Sequence, residues 1–268
     1  MALEYCVLAS GSSGNCLWVK GGGVEILLDL GLSLRTLRQR LSDIGRDVKD
    51  IEAVFCTHFH GDHAGGAAVF SRKIGGQIYA TLPTQHGLRG VVPELLRGLP
   101  ERGAVTLGKG LTVKTMPTPH DAPGSVSLVV TDGETSVGLV TDLGRATDGL
   151  VHHLSGLDGL VLEMNHDPKM VEDGPYPHHL KRRVLGDWGH LSNAQGAALL
   201  RKVAHRGLQH VTLAHLSGTN NTPELAKRAA EEVLAKVRLR PRLRIGKQWK
   251  VGEPVLLRAP RQLSLRFA

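Results

Sequence analysis

In the stretch AVFCTHFHGDHAGG, residues 53 to 66, His58, His60, Asp62 and His63 crowd the end of an apolar run. A buried core has no use for them, because an unpaired polar group away from water costs free energy. A solvated loop has no need of the spacing. On an extended segment His58 and His60 point the same way across one intervening residue. Gly61 then eases the turn that brings up Asp62 and His63. Two donor pairs at different depths suit two adjacent cations. Imidazole nitrogen and carboxylate oxygen are donors for zinc or manganese, with iron the less expected choice.

Such a site needs further donors, and strand ends hold side chains rigidly. His120 follows LTVKTM in TPHDAPG, Asp142 closes GLVTDLG, and His215 closes VTLAHLS, each after an apolar β-like run. By contrast His86, His152, His153, His178, His179, His205 and His210 fit no donor pattern and are assigned to surface or core. DWGHLSN sets His190 just before a helix start that Ser192 can cap. A helix N-terminus favours an anion such as phosphate, and an imidazole beside it can bind that phosphate or protonate a leaving oxygen. In VLEMNHDPKM, residues 161 to 170, Glu163, Asn165, His166 and Asp167 end another apolar run. Glu163 either orients a catalytic histidine or belongs to a cluster that satisfies its own turn before a helix opened by Asp167-Pro168.

The elements that must carry these residues recur in both halves of the chain. EYCVLA, CLWV, VEILLD, IEAVFCT, QIYAT, AVTL, LTVKTM, SVSLVVT, TSVGLVT, LDGLVLEM and HVTLAHL read as strands. SLRTLRQRLSDIG reads as a helix capped by Ser33 and stopped at Gly45. Two more helices open at a Ser192/Gln195 capping box and at Thr222-Pro223. No linker or low-complexity run divides the chain, and two β-rich layers flanked by helices account for the order. One domain over residues 1–258 is expected, followed by a basic tail, 259–268. RLRPRLRIGKQWK and RAPRQLSLRFA are read as basic surface or partly disordered chain.

Composition sets outer bounds. At 268 residues the chain can bury a substantial core. Aromatics at 4% argue against a wall of stacking platforms for single-stranded bases, while a net charge of +8 favours an anionic partner or solubility alone. Cys6, Cys16 and Cys56 have no paired spacing, which fits reduced thiols in a cytosolic protein. The N-terminus lacks the basic start of a secretory signal and no apolar run reaches membrane-spanning length, so a cytoplasmic protein with no membrane partner is expected.

THFHGDH is similar to the HxHxDH motif of the metallo-β-lactamase superfamily, whose fold is a four-layer αβ/βα sandwich. Asp29 after VEILL matches that superfamily's first motif, and His120, Asp142 and His215 match its later histidine, bridging aspartate and last histidine. The resemblance spans residues 7 to about 245. It implies that His58, His60 and His120 hold one metal, that Asp62, His63 and His215 hold the other, that Asp142 bridges them, and that Asp29 stands behind the ligands. LASGSSGNC, TDLG, LEMNHD, GPYPHHLKRR, GHLSN and AHLSGTNNTPELA together look like the YycJ (WalJ) family of small bacterial proteins, associated with 5′-to-3′ exonuclease action on DNA.

Two adjacent metals lower the pKa of a bridging water and clamp the oxygens of an in-line displacement, so a bridging hydroxide is the expected nucleophile. Asp62, His190 and Glu163 are then the catalytic candidates beside the metals. Ser12, Ser13 and Asn15 of the SGSSGN turn can offer amides and hydroxyls to phosphate, and Asn165, Ser192, Lys181 and Arg182 are further substrate candidates, as is Arg183 of the same basic run. A dinuclear-metal phosphodiesterase, specifically a 5′-to-3′ exonuclease acting on DNA rather than RNA, is the leading expectation. The alternatives are a thioester or lactone hydrolase of the same fold and a metal-stabilised nucleic-acid-binding accessory protein. Only about fifty residues separate Asp142 from His190, too few for an inserted nucleic-acid-clamping domain. About twenty separate His120 from Asp142, leaving no room for a substrate arm.

Overall fold

The computed structural model describes residues 2–259 and arranges their strands in two seven-stranded sheets. In chain order these are β1 (Glu4–Ala9), β2 (Cys16–Gly21), β3 (Val24–Leu28), β4 (Ile51–Phe55), β5 (Gln77–Ala80) and β6 (Leu96–Gly98) in the first sheet. The second holds β7 (Gly103–Leu107), β8 (Leu111–Pro117), β9 (Val126–Thr131), β10 (Ser136–Val140), β11 (Gly159–Glu163), β12 (His210–Ala214) and β13 (Arg242–Ile245). A last strand, β14 (Val255–Leu256), returns to the first sheet beside β1.

Strand alternation builds the layers. Leu17 and Val19 of β2, Ile26 and Leu28 of β3, and Val161 of β11 lie in the core shared by the two sheets. Their neighbours face the other way. Trp18 and Leu27 join Leu37, Leu41 and Phe70 under the helices of the first half, and Leu160 and Leu162 join Leu199, Leu200 and Ala230 under those of the second. A strand with both faces covered by apolar partners reads as a continuous apolar run, which is why these segments carry so few polar residues. The result is the expected α/β sandwich. Ser33 accepts from Thr36 N, Ser192 and Gln195 form the full capping box, and Thr222 accepts from Leu225 N, so the expected helix starts are all built. No helix among the described residues is long and apolar enough to cross a membrane.

Each sheet changes from antiparallel to parallel pairing: β1 to β3 are antiparallel and β3 to β6 parallel, while β7 to β10 are antiparallel and β10 to β13 parallel. Parallel neighbours send their C-terminal ends to the same edge, where open α/β sheets bind ligands.

RLRPRLRIG departs from the expectation of surface chain. Arg242–Ile245 is a sheet strand, with Leu243 and Ile245 packed against the second apolar cluster. The arginines are simply the alternate positions of a strand at the sheet edge. The following loop is tied down too: Gln248 accepts from Ser13 N and donates to Gly14 O. Of the tail expected at 259–268, residues 260–268 lie outside the described residues.

Candidate metal centre

Three site residues leave their strands in the left-handed region. Asp29 follows β3 with φ 59°, Asp142 lies just beyond β10 with φ 58°, and His215 follows β12 with φ 54°. Non-glycine residues held there cost on the order of 1–3 kcal/mol each and persist only where surrounding contacts fix them. Here the contacts are plain. Asp29 N donates to Phe55 O, and its carboxylate accepts from Thr57 N at 2.7 Å while lying 2.7 Å from His63 Nδ1. His215 N donates to Ser10 Oγ. A Cβ on Gly31 would lie 1.9 Å from Asp62 O, so only glycine lets the Asp29 turn pass beneath the histidine loop.

Ligand atoms of His58, His60 and His120 all lie within 4.8 Å of one another, and so do those of Asp62, His63 and His215. Asp142 shares a third such set with His58 and His63, one histidine from each group. Its carboxylate lies 2.9 Å from His63 Nε2 and 3.8 Å from His120 Nε2. The donor set fits divalent metal ions for a specific reason. His58 has its Nδ1 3.0 Å from Thr57 Oγ1, yet its Nε2 is buried with no hydrogen-bond partner. His120 has Nδ1 against Gly189 O, and its Nε2 faces His60 Nδ1 at 3.4 Å. Such nitrogens, turned toward one another in a buried place, suit a shared divalent cation.

Glu163 ends β11, fully buried, and gathers five donors. Asp142 N, Leu143 N and Leu191 N donate to it, and His190 Nδ1 and His215 Nδ1 lie 3.0 and 2.9 Å from its Oε1. Glu163 therefore binds amides of the 142–143 and 191 segments rather than its own turn, and its Oε1 lies against two histidines. His190 also lies 3.5 Å from Asp142 Oδ1. It shares one donor set with Asp142, Glu163 and His215, so the two histidines of the HLS segments hang from a single carboxylate.

The electrostatics follow from burial and these pairings. Burial holds His58, His60 and His120 below the usual imidazole range, leaving them neutral as ligands must be. His63 is also fully buried, but Asp142 and Asp29 outweigh that and push it well above the usual range. His215 rises to about 10, again against burial, because of Asp142, Asp62 and Glu163. Burial would raise Glu163, yet His190 and His215 bring it down to about 2. Asp142 is likewise held well below the usual carboxylate range by His215 and His63 against its burial.

The metallo-beta-lactamase superfamily model matches residues 9–189. The exodeoxyribonuclease WalJ of Streptococcus pneumoniae (serotype 2, strain D39) is 33% identical over 89% of this chain and 91% of its own. The exodeoxyribonuclease YycJ of Bacillus anthracis is 32% identical over 87% of this chain and 90% of its own. The chain belongs to the metallo-beta-lactamase superfamily and, within it, to the WalJ/YycJ family. Among solved structures, the metallo-beta-lactamase fold protein YhfI from Bacillus subtilis superposes with a TM-score of 0.72 at 16% identity, covering 96% of this chain and all of that one, which shows the shared fold.

Around this WalJ/YycJ-family centre the other expected site residues scatter. Asn15 is buried with its Nδ2 2.9 Å from His63 Nε2, against the metal donors, while Ser12 and Ser13 are exposed at the turn. Asn165 is buried and donates to His215 O, which holds the turn that carries that histidine. The Ser192 hydroxyl is engaged in its capping box. Lys181 Nζ donates to Glu172 O, and Arg182 is exposed. Two polar groups went unmarked by sequence. Thr57 Oγ1 links Asp29 to His58, and Asp121 Oδ1 lies 3.3 Å from His120 Nε2 and 3.5 Å from His60 Nε2. The only signal for either was adjacency to a donor histidine.

Proposed function

We propose that this chain is a divalent-metal-dependent exonuclease that hydrolyses phosphodiester bonds of nucleic acid, DNA first, from the 5′ end. His58, His60 and His120 would hold one ion and Asp62, His63 and His215 a second, with Asp142 beside both groups. Asp29 orients His63 from behind, and Asp62 doubles as a catalytic carboxylate. The ions, zinc or manganese by the hardness of these donors, supply water activation and charge neutralisation at the phosphate. His190 is the observation that carries the reading. Its Nδ1 is engaged by Glu163 at 3.0 Å, and its side chain stays 17% exposed beside the donors, leaving Nε2 to meet a phosphate or give a proton to the leaving oxygen. A thioester or lactone hydrolase has no use for this second imidazole. The named relatives are exodeoxyribonucleases, which points the same way.

The test is incubation with end-labelled single-stranded and duplex DNA and RNA, with zinc, manganese or EDTA. Stepwise shortening from the 5′ end in metal and none in EDTA is expected. Nucleic acid bound equally in EDTA and never shortened would overturn the enzyme reading. Turnover of a thioester with no turnover of bis-p-nitrophenyl phosphate would overturn the substrate class.

A further inference from the structure

A compact exonuclease of this size needs a hold on the strand end, and the elements between Asp142 and His190 are too short to supply an added domain: two strand-flanking helices of six residues, one of eight, and β11. The last of these helices, His178–Leu185, and the loop after it reach the donor cluster, through Arg183 on Asp121 and Gly189 O on His120. Arg183 Nε lies 2.5 Å from Asp121 Oδ2, the carboxylate whose other oxygen faces His120 and His60. Half of the Arg183 side chain remains exposed. An ordinary surface ion pair does little, but this one fixes a guanidinium beside the metal ligands by a single nitrogen. The rest of the planar fork is left for the paired oxygens of a phosphate.

Five residues on, Trp188 has its backbone wedged between two donor loops. A Cβ on Gly144, two residues after Asp142, would lie 2.5 Å from Trp188 N. On the other side Gly189 O accepts from His120 Nδ1. The indole itself is 60% exposed. The chain has three tryptophans. Trp18 is buried and Trp249 lies in the loop before β14, so Trp188 is the indole carried on the segment that leads into His190. Arg145, 3.9 Å from Asp187, adds a second cation to this rim. A fixed backbone, an exposed ring and adjoining guanidinium groups are the parts that single-strand binding uses: a stacking face and a phosphate contact.

We propose that Arg183 and Trp188 form the end grip of the enzyme, Arg183 taking a backbone phosphate and Trp188 stacking on the terminal base, with Asp121 positioning Arg183. This rests on the exonuclease reading above and names how that site holds its substrate. Two measurements test it: the KM for a single-stranded DNA oligonucleotide with metal, and the affinity for the same labelled oligonucleotide in EDTA, by fluorescence anisotropy. Trp188→Ala should weaken both by about fivefold to a hundredfold, the usual worth of one base–aromatic stack, and Trp188→Phe should restore most of it. Arg183→Ala should weaken both by about tenfold and reduce the slope of log affinity against log salt by about one. Asp121→Asn should give a smaller loss in the same direction, and Trp249→Ala should bind as the wild type does. Affinity and KM within twofold of wild type for both Trp188→Ala and Arg183→Ala would overturn the grip, as would equal losses from Trp249→Ala. A wild type that neither binds nor shortens any nucleic acid would instead defeat the exonuclease reading itself, so the two failures are distinguishable.

Discussion

Replacing Glu163 by glutamine is the sharpest perturbation this site offers. The shape is nearly kept, but the charge goes, and an amide NH2 is turned toward some of the five donors that now converge on two carboxylate oxygens. Burial opposes ionisation at this fully buried position, yet His190 and His215 bring its pKa from 4.5 to about 2. A carboxylate so lowered stabilises the fold above its unfolded value, and that stability is lost as pH falls from 4.5 toward 2. The shift corresponds to roughly 3 kcal/mol at neutral pH. For a chain of this size that is a fall of about 6–12 °C in Tm. Because the same carboxylate orients His215, zinc affinity should drop by about tenfold to a hundredfold, the usual cost of losing a group that orients a ligand. Tm in EDTA, zinc competition against a chromophoric chelator, and phosphodiester turnover would be read on one preparation. His190→Ala supplies the second leg of a double-mutant cycle. In that background Glu163→Gln should reduce turnover by a smaller factor, since one of its two imidazoles is already gone. A Tm within a degree of wild type, with zinc affinity within twofold, would refute the idea that Glu163 holds both histidines.

Protein purified without chelator should carry close to two equivalents of zinc or manganese by elemental analysis, and Asp142→Ala should lose more metal than Asp29→Ala because only Asp142 faces both donor groups. His190→Ala should keep both metals yet lose about a hundredfold to ten-thousandfold in turnover, whereas His215→Ala should lose a metal as well, both read by metal content and rate on the same samples. Burial holds His153 and His166 at about 4. Their unfolded forms take up protons below about 6.5 while the folded forms do not, so stability should fall from pH 6.5 toward 4 and His153→Gln should flatten that decline in Tm.

Most strands were legible because the two-residue alternation and the covered faces of Leu17 to Val19 or Leu160 to Leu162 leave a plain apolar signature. The donors were legible because histidine and aspartate at the ends of such runs have few other uses. What escaped depends on contacts between distant segments. Nothing local marks Asp29 as the partner of His63; without the family resemblance it is one acidic residue after a strand. Glu163 posed two alternatives that sequence left open, since its donors come from residues 142, 143, 190, 191 and 215. β13 was hidden because arginine at every second position looks like a charged surface run until Leu243 and Ile245 are seen against the core. Arg183 could not be told from Lys181 and Arg182 until the helix turned it alone toward Asp121.

The left-handed residues explain how two sheets make one site. A strand that continued in extended form would carry its last side chain out past the sheet edge; a single αL residue turns it across instead. Asp142, from the second sheet, thereby reaches His63 on the loop of the first, and His215 comes within 3.5 Å of Asp62. The strain is therefore spent on contacts between the halves, and those contacts, through Asp142 in both cases, push His63 and His215 above the usual imidazole range, so that both hold a proton at neutral pH. A bound cation replaces those protons, so metal binding should release them and grow tighter as pH rises. An ion held by these residues would join the two sheets through side chains fixed on each, so the edge proposed to do the chemistry would also lock the sandwich.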